Sequence, residues 1–436
     1  MKKLCLFLAT FFLLPVVSMA GEAEFTLEQA QQLALEHAEG LKASRAQRDA
    51  SLSALDAAHA ERWPSLSVSS VAYYVDNIPT IDLGVPGGFS IERELGSKDS
   101  YKTEIRMALP VFTGGRIGAG IRLAESKLDL RQALVNAERD QVLLSARVEY
   151  LRLHQADRLV ASAAASLERA QVVRQDIQSL YDAGAADSTN VLEAELAVTT
   201  ASLALDQARS NRASQRIRLN LLLGRSATDS LSLSIDIPTP DSSLPPTHVP
   251  VTRPQLVAAE AAIAAGKHQQ TLYRSTWWPT LSVYGGYTFG EPNRDMFNDA
   301  FDDFLSVGAN LSWSFNLGRK VSSQVAGAEA ATEAARADYR DINRTLKREA
   351  HLAREQVLLA FQRYTSAERR NALASDNYRL ARIKHREGGL SSNRLLEIEA
   401  ALSASEAELA AARADVFVAK SLYLYAIGSE DLGKGL

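Results

Sequence analysis

Cysteine is almost missing from this 436-residue chain, and the one present, Cys5, lies in an apolar run from Leu4 to Val17. Lys2 and Lys3 precede that run, and Ser18-Met19-Ala20 follow it before Gly21, which is the three-part plan of a secretory signal peptide. Residues 1–20 are therefore expected to be removed, and Cys5, too far from the cleavage site to carry a lipid, goes with them. A mature chain without thiols excludes disulfides, thiolate zinc sites and a cysteine nucleophile. A basic surplus is missing too. Losing Lys2 and Lys3 takes the basic count from 48 to 46 against 52 acidic residues, a formal charge of about −6, which argues against nucleic acid as a partner. Beyond the leader no run of 18 or more uninterrupted apolar residues occurs, so no transmembrane helix is expected. A segment that enters a bilayer must do so as β-strands. The seven histidines (His37, His59, His154, His248, His268, His351 and His385) lack metal-ligand spacing, and neither a Gly-x-Ser-x-Gly elbow nor a phosphate-binding glycine loop is found. No catalytic residue, metal or cofactor is expected.

What the chain has is a duplication. Arg62-Trp63-Pro64-Ser65-Leu66-Ser67-Val68 returns as Trp277-Trp278-Pro279-Thr280-Leu281-Ser282-Val283, at an offset of 279 − 64 = 215. Further along, Tyr181-Asp182-Ala183-Gly184 matches His385-Arg386-Glu387-Gly388, and Asn190-Val191-Leu192-Glu193 matches Arg394-Leu395-Leu396-Glu397, both at 388 − 184 = 204. The difference falls in a loop, because Asp76 to Ser100 in the first copy is longer than Glu291 to Asp303 in the second. The copies span 21–224 and 251–428. Between them, 225–250 is rich in Ser, Asp and Pro and reads as a linker or equatorial strap, and 429–436 is a tail.

Each copy carries two runs with a period of two, at 65–75 and 101–112 and at 280–290 and 304–315. Leu66, Val68, Ala72 and Tyr74 alternate with serines, and Tyr101, Ile105, Met107 and Leu109 alternate with Lys102, Glu104 and Arg106. About ten residues per run is the length of a tilted strand crossing hydrocarbon. A half-buried strand of a soluble sheet shows the same alternation; the leader and the charged face opposite the apolar one favour lipid outside and water inside. Four strands cannot close a barrel, for which about eight are needed, so the barrel must be shared between subunits.

Between the strand pairs the pattern is helical. Arg116 to Tyr181 contains no proline and spans ~99 Å at 1.5 Å per residue, and Arg319 to about Arg386 repeats it. Shorter helices are expected at 188–223 and 251–277, which laid end to end match one long rod, and at 391–427 with 26–62 as the second such pair. Hairpins turning at Gly184 and Gly388 suit a wall of rods, with a solvated coiled-coil stalk as the alternative.

Assembled in this order, the features resemble the TolC-like outer-membrane efflux proteins. Thr26-Leu27-Glu28-Gln29-Ala30, the two Trp-Pro-Ser/Thr-Leu-Ser-Val entries, Pro110-Val111-Phe112-Thr113-Gly114-Gly115-Arg116 with Phe315-Asn316-Leu317-Gly318-Arg319, and the two glycine turns carry the resemblance over essentially the whole mature chain. It implies a mixed α+β membrane protein, internally duplicated, with a long α-helical hairpin barrel and a transmembrane β-barrel built from four strands per protomer. It further implies a homotrimer in the outer membrane of a Gram-negative bacterium, docking with a periplasmic adaptor and an inner-membrane pump as a passive exit duct.

By the same resemblance, Ala183, Gly184, Ala185, Gly388, Gly389 and Leu390 are adaptor-docking candidates, and Asn190, Glu193, Arg394 and Glu397 are candidates for the periplasmic gate. Arg394 and Asn190 stand where the family has acidic residues, and these charges also read as solvated helix faces. Arg394 is expected to pair with an acidic residue of a neighbouring helix and hold the tip closed. The alternative function is a periplasmic adaptor, which carries one such hairpin rather than two.

Overall fold

The computed structural model describes residues 24–85, 88–94, 97–234, 237–241, 245–246, 251–291, 300–315 and 317–434. The expected leader lies outside them, as do His248 and Asn316.

The elements in order are β1 (Glu24–Phe25), α1 (Leu27–His37), α2 (Glu39–Ala60), β2 (Ser65–Tyr74), β3 (Thr80–Val85), β4 (Phe89–Glu94), β5 (Asp99–Phe112), α3 (Arg116–Asp182) and α4 (Ser188–Leu222). There follow β6 (Ser232–Leu233), α5 (Pro254–Arg274), β7 (Thr280–Glu291), β8 (Asp302–Ser312), α6 (Lys320–Arg386) and α7 (Ser392–Ile427).

The strands form one antiparallel sheet in the order β2-β5-β7-β8, so that β5 and β7 join the two copies at its centre and β2 and β8 are left as edges. Register decides which residues share a face. Val68 lies opposite Ile105, Ile105 opposite Tyr287, and Tyr287 opposite Leu305, so the apolar positions of all four strands line up on one side. One residue over, Ser67, Arg106, Gly286 and Ser306 form a polar row on the other side. The stretch 76–100, expected as a plain loop, contains the separate hairpin β3-β4.

Below the sheet, α3 and α6 are rods of 67 residues each, ~100 Å long. The second rod starts at Lys320 rather than Arg319, because Arg319 sits in the left-handed region (φ 58°) at the place that Gly115 (φ 84°) holds in the first copy. In the upper half the wall runs α2, α3, α5, α6; in the lower half it runs α4, α3, α7, α6.

The short helices stack differently from the expectation. Leu219 and Leu223 at the end of α4 pack with Leu27, Ala30 and Ala34 of α1 against Val142, Ala146, Tyr150 and Leu153 of α3. At the end of α7, the Thr252 N–H donates to the Ile427 carbonyl (3.0 Å), so α5 continues α7. The composite rods are thus α4 with α1-α2 and α7 with α5. Both pairings have nearly the same summed length, so length alone could not choose between them. The strap makes the choice: it carries the chain sideways, seating Ile237 against Leu151, Phe417 and Val418.

The first of these rods is also broken. Ala38 leaves helical geometry (φ −66°, ψ 102°), which divides the expected helix 26–62 in two.

Gly224 shows how tight the junction is. Its φ of 69° disfavours any side chain, and a Cβ there would come within 2.4 Å of the His37 ring. Gly224→Ala is expected to lower stability by about 1–3 kcal/mol, seen as a lower helical melting midpoint in detergent. Adding His37→Ala should recover the steric part of the loss and leave the backbone part.

Candidate functional site

The apolar face of the sheet has no cover within the protomer. Leu66, Val68, Leu305 and Leu311 are all exposed and Val307 is 82% exposed, although each sits in a regular strand. Exposed β-branched and aliphatic residues in one continuous row are what hydrocarbon, rather than water, accommodates.

Aromatic residues frame this row. All four tryptophans of the sequence, Trp63, Trp277, Trp278 and Trp313, are exposed where strands meet helices, and the Trp313 ring N–H donates to the Trp277 carbonyl (3.2 Å). At the far end Tyr74, Tyr101, Phe289 and Phe301 are exposed, with Phe289 stacked on Phe301 at 5.3 Å. Two aromatic belts a strand length apart mark the two interfaces of a bilayer.

The opposite face is charged. Glu104 lies between Lys102 (3.7 Å) and Arg106 (3.8 Å), and the Arg106 guanidinium stands 3.9 Å from the centre of the Tyr284 ring.

At the other end of the rods the two tips are built alike. Gly184 (φ 74°) and Gly388 (φ 75°) each follow a long helix, and the next N–H in each copy returns to the carbonyl five residues back, Ala185 to Leu180 and Gly389 to Lys384, both at 2.8 Å. This is the Schellman ending, which needs a left-handed residue at its turn. Ala183, Gly184, Ala185, Gly388 and Gly389 are exposed, whereas Leu390 is half-buried and accepts a hydrogen bond from the His385 ring (2.9 Å).

The gate candidates are not gathered into one cluster within the protomer. Asn190 is half-buried in the first turn of α4, where Asp187 accepts from its N–H (3.1 Å). Glu193 is half-buried one turn on, and its Oε2 is buried without a hydrogen-bond partner. Arg394 and Glu397 are exposed and pair with each other at 2.7 Å, three residues apart on one helix. That corrects the expected pairing of Arg394 with a neighbouring helix: an i, i+3 carboxylate is already within reach.

A polar network above the tips escaped the sequence reading. Arg169 of α3 donates to Glu399 (3.3 Å), Ser403 (3.0 Å) and Glu406 (2.8 Å) of α7, and Ser403 Oγ is 2.7 Å from both Ser166 and Glu399. The signal was present: 399, 403 and 406 are spaced i, i+4, i+7, a polar stripe on one helix face. Nearby, burial raises the Tyr378 phenol above its ordinary value and keeps it neutral.

Among the described residues no helix is long and apolar enough to cross a membrane, and no group of three or more metal-ligating side chains comes together. A sheet with one lipid-facing and one water-facing side, carried on helical hairpins ~100 Å long, defines an outer-membrane channel with a helical extension into the periplasm. The chain belongs to the outer membrane efflux protein family, whose model matches residues 30–225 and 249–424.

Solved channels share the fold. OprN superposes with a TM-score of 0.76 at 22% identity, over 93% of this chain and 90% of that one. CusC gives 0.78 at 14% identity over 94% and 93%, and VceC of Vibrio cholerae gives 0.76 at 17% over 92% and 96%. A comparison with curated protein sequences finds no significant match. The protein is therefore an outer-membrane efflux channel and not a periplasmic adaptor; its family and structural neighbours are channels, not enzymes.

Arg169 binds the two hairpins together where Glu399 is buried. Arg169→Ala should leave two carboxylates without their cation and lower stability by about 3 kcal/mol, measured as earlier thermal loss of helix signal. Replacing Arg169, Glu399 and Glu406 together with apolar residues should cost less than the single change.

Proposed function

We propose that three copies of this chain close one barrel of twelve strands and one tube of helices. The assembly is a passive conduit for small molecules or polypeptides, with no chemistry of its own, and opens when a periplasmic adaptor and an inner-membrane pump engage the tips. The observation that carries this reading is the open sheet: β2 and β8 are both edges, and hydrocarbon does not tolerate unpaired strand backbone. Joining β8 of one copy to β2 of the next is antiparallel and removes every edge at the third copy.

The helices support the same closure. The free flank of α4 exposes Leu192, Leu196 and Leu203, and that of α6 exposes Leu373, Leu380 and Ile383. These flanks stand at opposite ends of the protomer's wall, where one copy would meet the next. Ala183, Gly184, Ala185, Gly388, Gly389 and Leu390 would then receive the adaptor, and Asn190, Glu193, Arg394 and Glu397 would stand at the aperture.

Purified protein should run as a trimer and give stepwise conductance in a planar bilayer; a monomer that conducts nothing would sink the proposal. Val307→Arg on the lipid face should cost about 2–4 kcal/mol and abolish membrane-inserted trimer, whereas Ser306→Arg, on the polar face one residue away, should assemble and conduct.

A further inference from the structure

The two tips are equivalent in backbone and opposite in charge. The window Arg174–Ala197 carries five acids (Asp176, Asp182, Asp187, Glu193 and Glu195) against one base, Arg174, a net −4. Its counterpart 204 positions on, Tyr378–Ala401, carries five bases (Arg379, Arg382, Lys384, Arg386 and Arg394) against three acids (Glu387, Glu397 and Glu399), a net +2.

Above the turns Glu399 pairs with Arg169 of the first hairpin and Arg379 with Asp376 of its own helix; nearer the turns the charges are not spent between the hairpins. Arg174 pairs with Glu195 inside the first hairpin, and Arg394 with Glu397 inside the second. Asp182 accepts from Gln178 (2.9 Å), and Asp187 caps α4. Among the described residues no ion pair joins Asp182 or Asp187 to Lys384 or Arg386, and all four are exposed. The basic tip has a further unmet group, since Nε2 of the His385 ring is buried without a hydrogen-bond partner.

We infer that the docking partner is an α-helical hairpin that is itself two-signed, with a basic flank turned to the first tip and an acidic flank to the second. This rests on the tip-docking reading above and adds the partner's chemistry to it. Packed helices lie about 8–10 Å apart, close to the ~8 Å screening length of physiological salt. A partner seated between the tips therefore meets fields of opposite sign on its two sides. Complementary charge across such a contact speeds encounter and sets orientation more than it adds affinity. Like charges meeting in the wrong orientation repel, which gives the docking a direction that glycine and alanine turns alone cannot supply. In a ring of three copies the sign alternates from tip to tip, so a partner hairpin finds the same polarity at each protomer.

The test uses the full-length protein in lipid nanodiscs with one thiol, at Ala185→Cys or at Gly389→Cys, which are equivalent positions in the two copies. The probe is a stapled helical-hairpin peptide, lysine-rich along one helix and glutamate-rich along the other, with a thiol-reactive group on the glutamate-rich helix. Labelling is expected to favour Gly389→Cys by roughly tenfold at about 0.05 M salt and to lose that preference near 0.5 M. Lys384→Glu with Arg386→Glu should remove the preference, and adding Asp182→Lys with Asp187→Lys should invert it. Equal labelling of the two thiols, or a preference unmoved by charge reversal, overturns the inference. Failure of the duct reading shows differently, as a monomer without conductance in the same preparation, and the ratio between the two tips of one chain is scored in either case.

Discussion

The structure depends on the rule that backbone N–H and C=O groups in hydrocarbon must all be paired within the protein. A protomer that contributes four strands and leaves two edges open does not satisfy that rule alone. The exposed row through Val68, Ile105, Tyr287 and Leu305 has the same origin, because those residues are placed for lipid and not for a core. The aromatic belts at the two strand ends locate the slab in which the rule applies.

Everything below the sheet transmits that constraint over ~100 Å. Long rods hold their course because their contact rows combine small residues, which allow close approach, with a few large ones that lock register. Around α3 the large ones are Tyr150, Leu151 and Leu153, all at most 1% exposed. Burial pushes the Tyr150 phenol up to about 12, so it stays neutral while its hydroxyl donates to the Phe25 carbonyl (3.1 Å). At the same level Arg147, whose guanidinium burial lowers from its ordinary value, donates to Ser421 (2.9 Å) and to the carbonyl of Lys434 (2.7 Å), tying the tail to both copies. Below that level Arg169 and its carboxylates interrupt the apolar contacts, and a further apolar cluster with Val173, Ile177, Ala194 and Leu395 follows toward the turns.

The duplication also explains why the tips share a backbone. Two copies of one turn keep the glycine and the Schellman hydrogen bonds, because backbone geometry demands them. Their exposed side chains are free to diverge, and they have diverged in sign.

Much of this was determined by the sequence itself. Alternation with a period of two, helical periodicity without proline from Arg116 to Tyr181, and the repeated Trp-Pro entries are local properties of the chain, so strands, rods and duplication could be read directly. Four other features were settled only by tertiary structure. Which short helices stack end to end depended on the sideways path of the strap, since the two pairings were equal in length. The break at Ala38 and the left-handed Arg319 run against local helical preference. Composition cannot say which carboxylate Arg394 takes; the fold placed Glu397, on the same helix, at 2.7 Å. Periodicity is written along one chain, whereas the choice among equally spaced partners is made by the neighbours that the chain folds against.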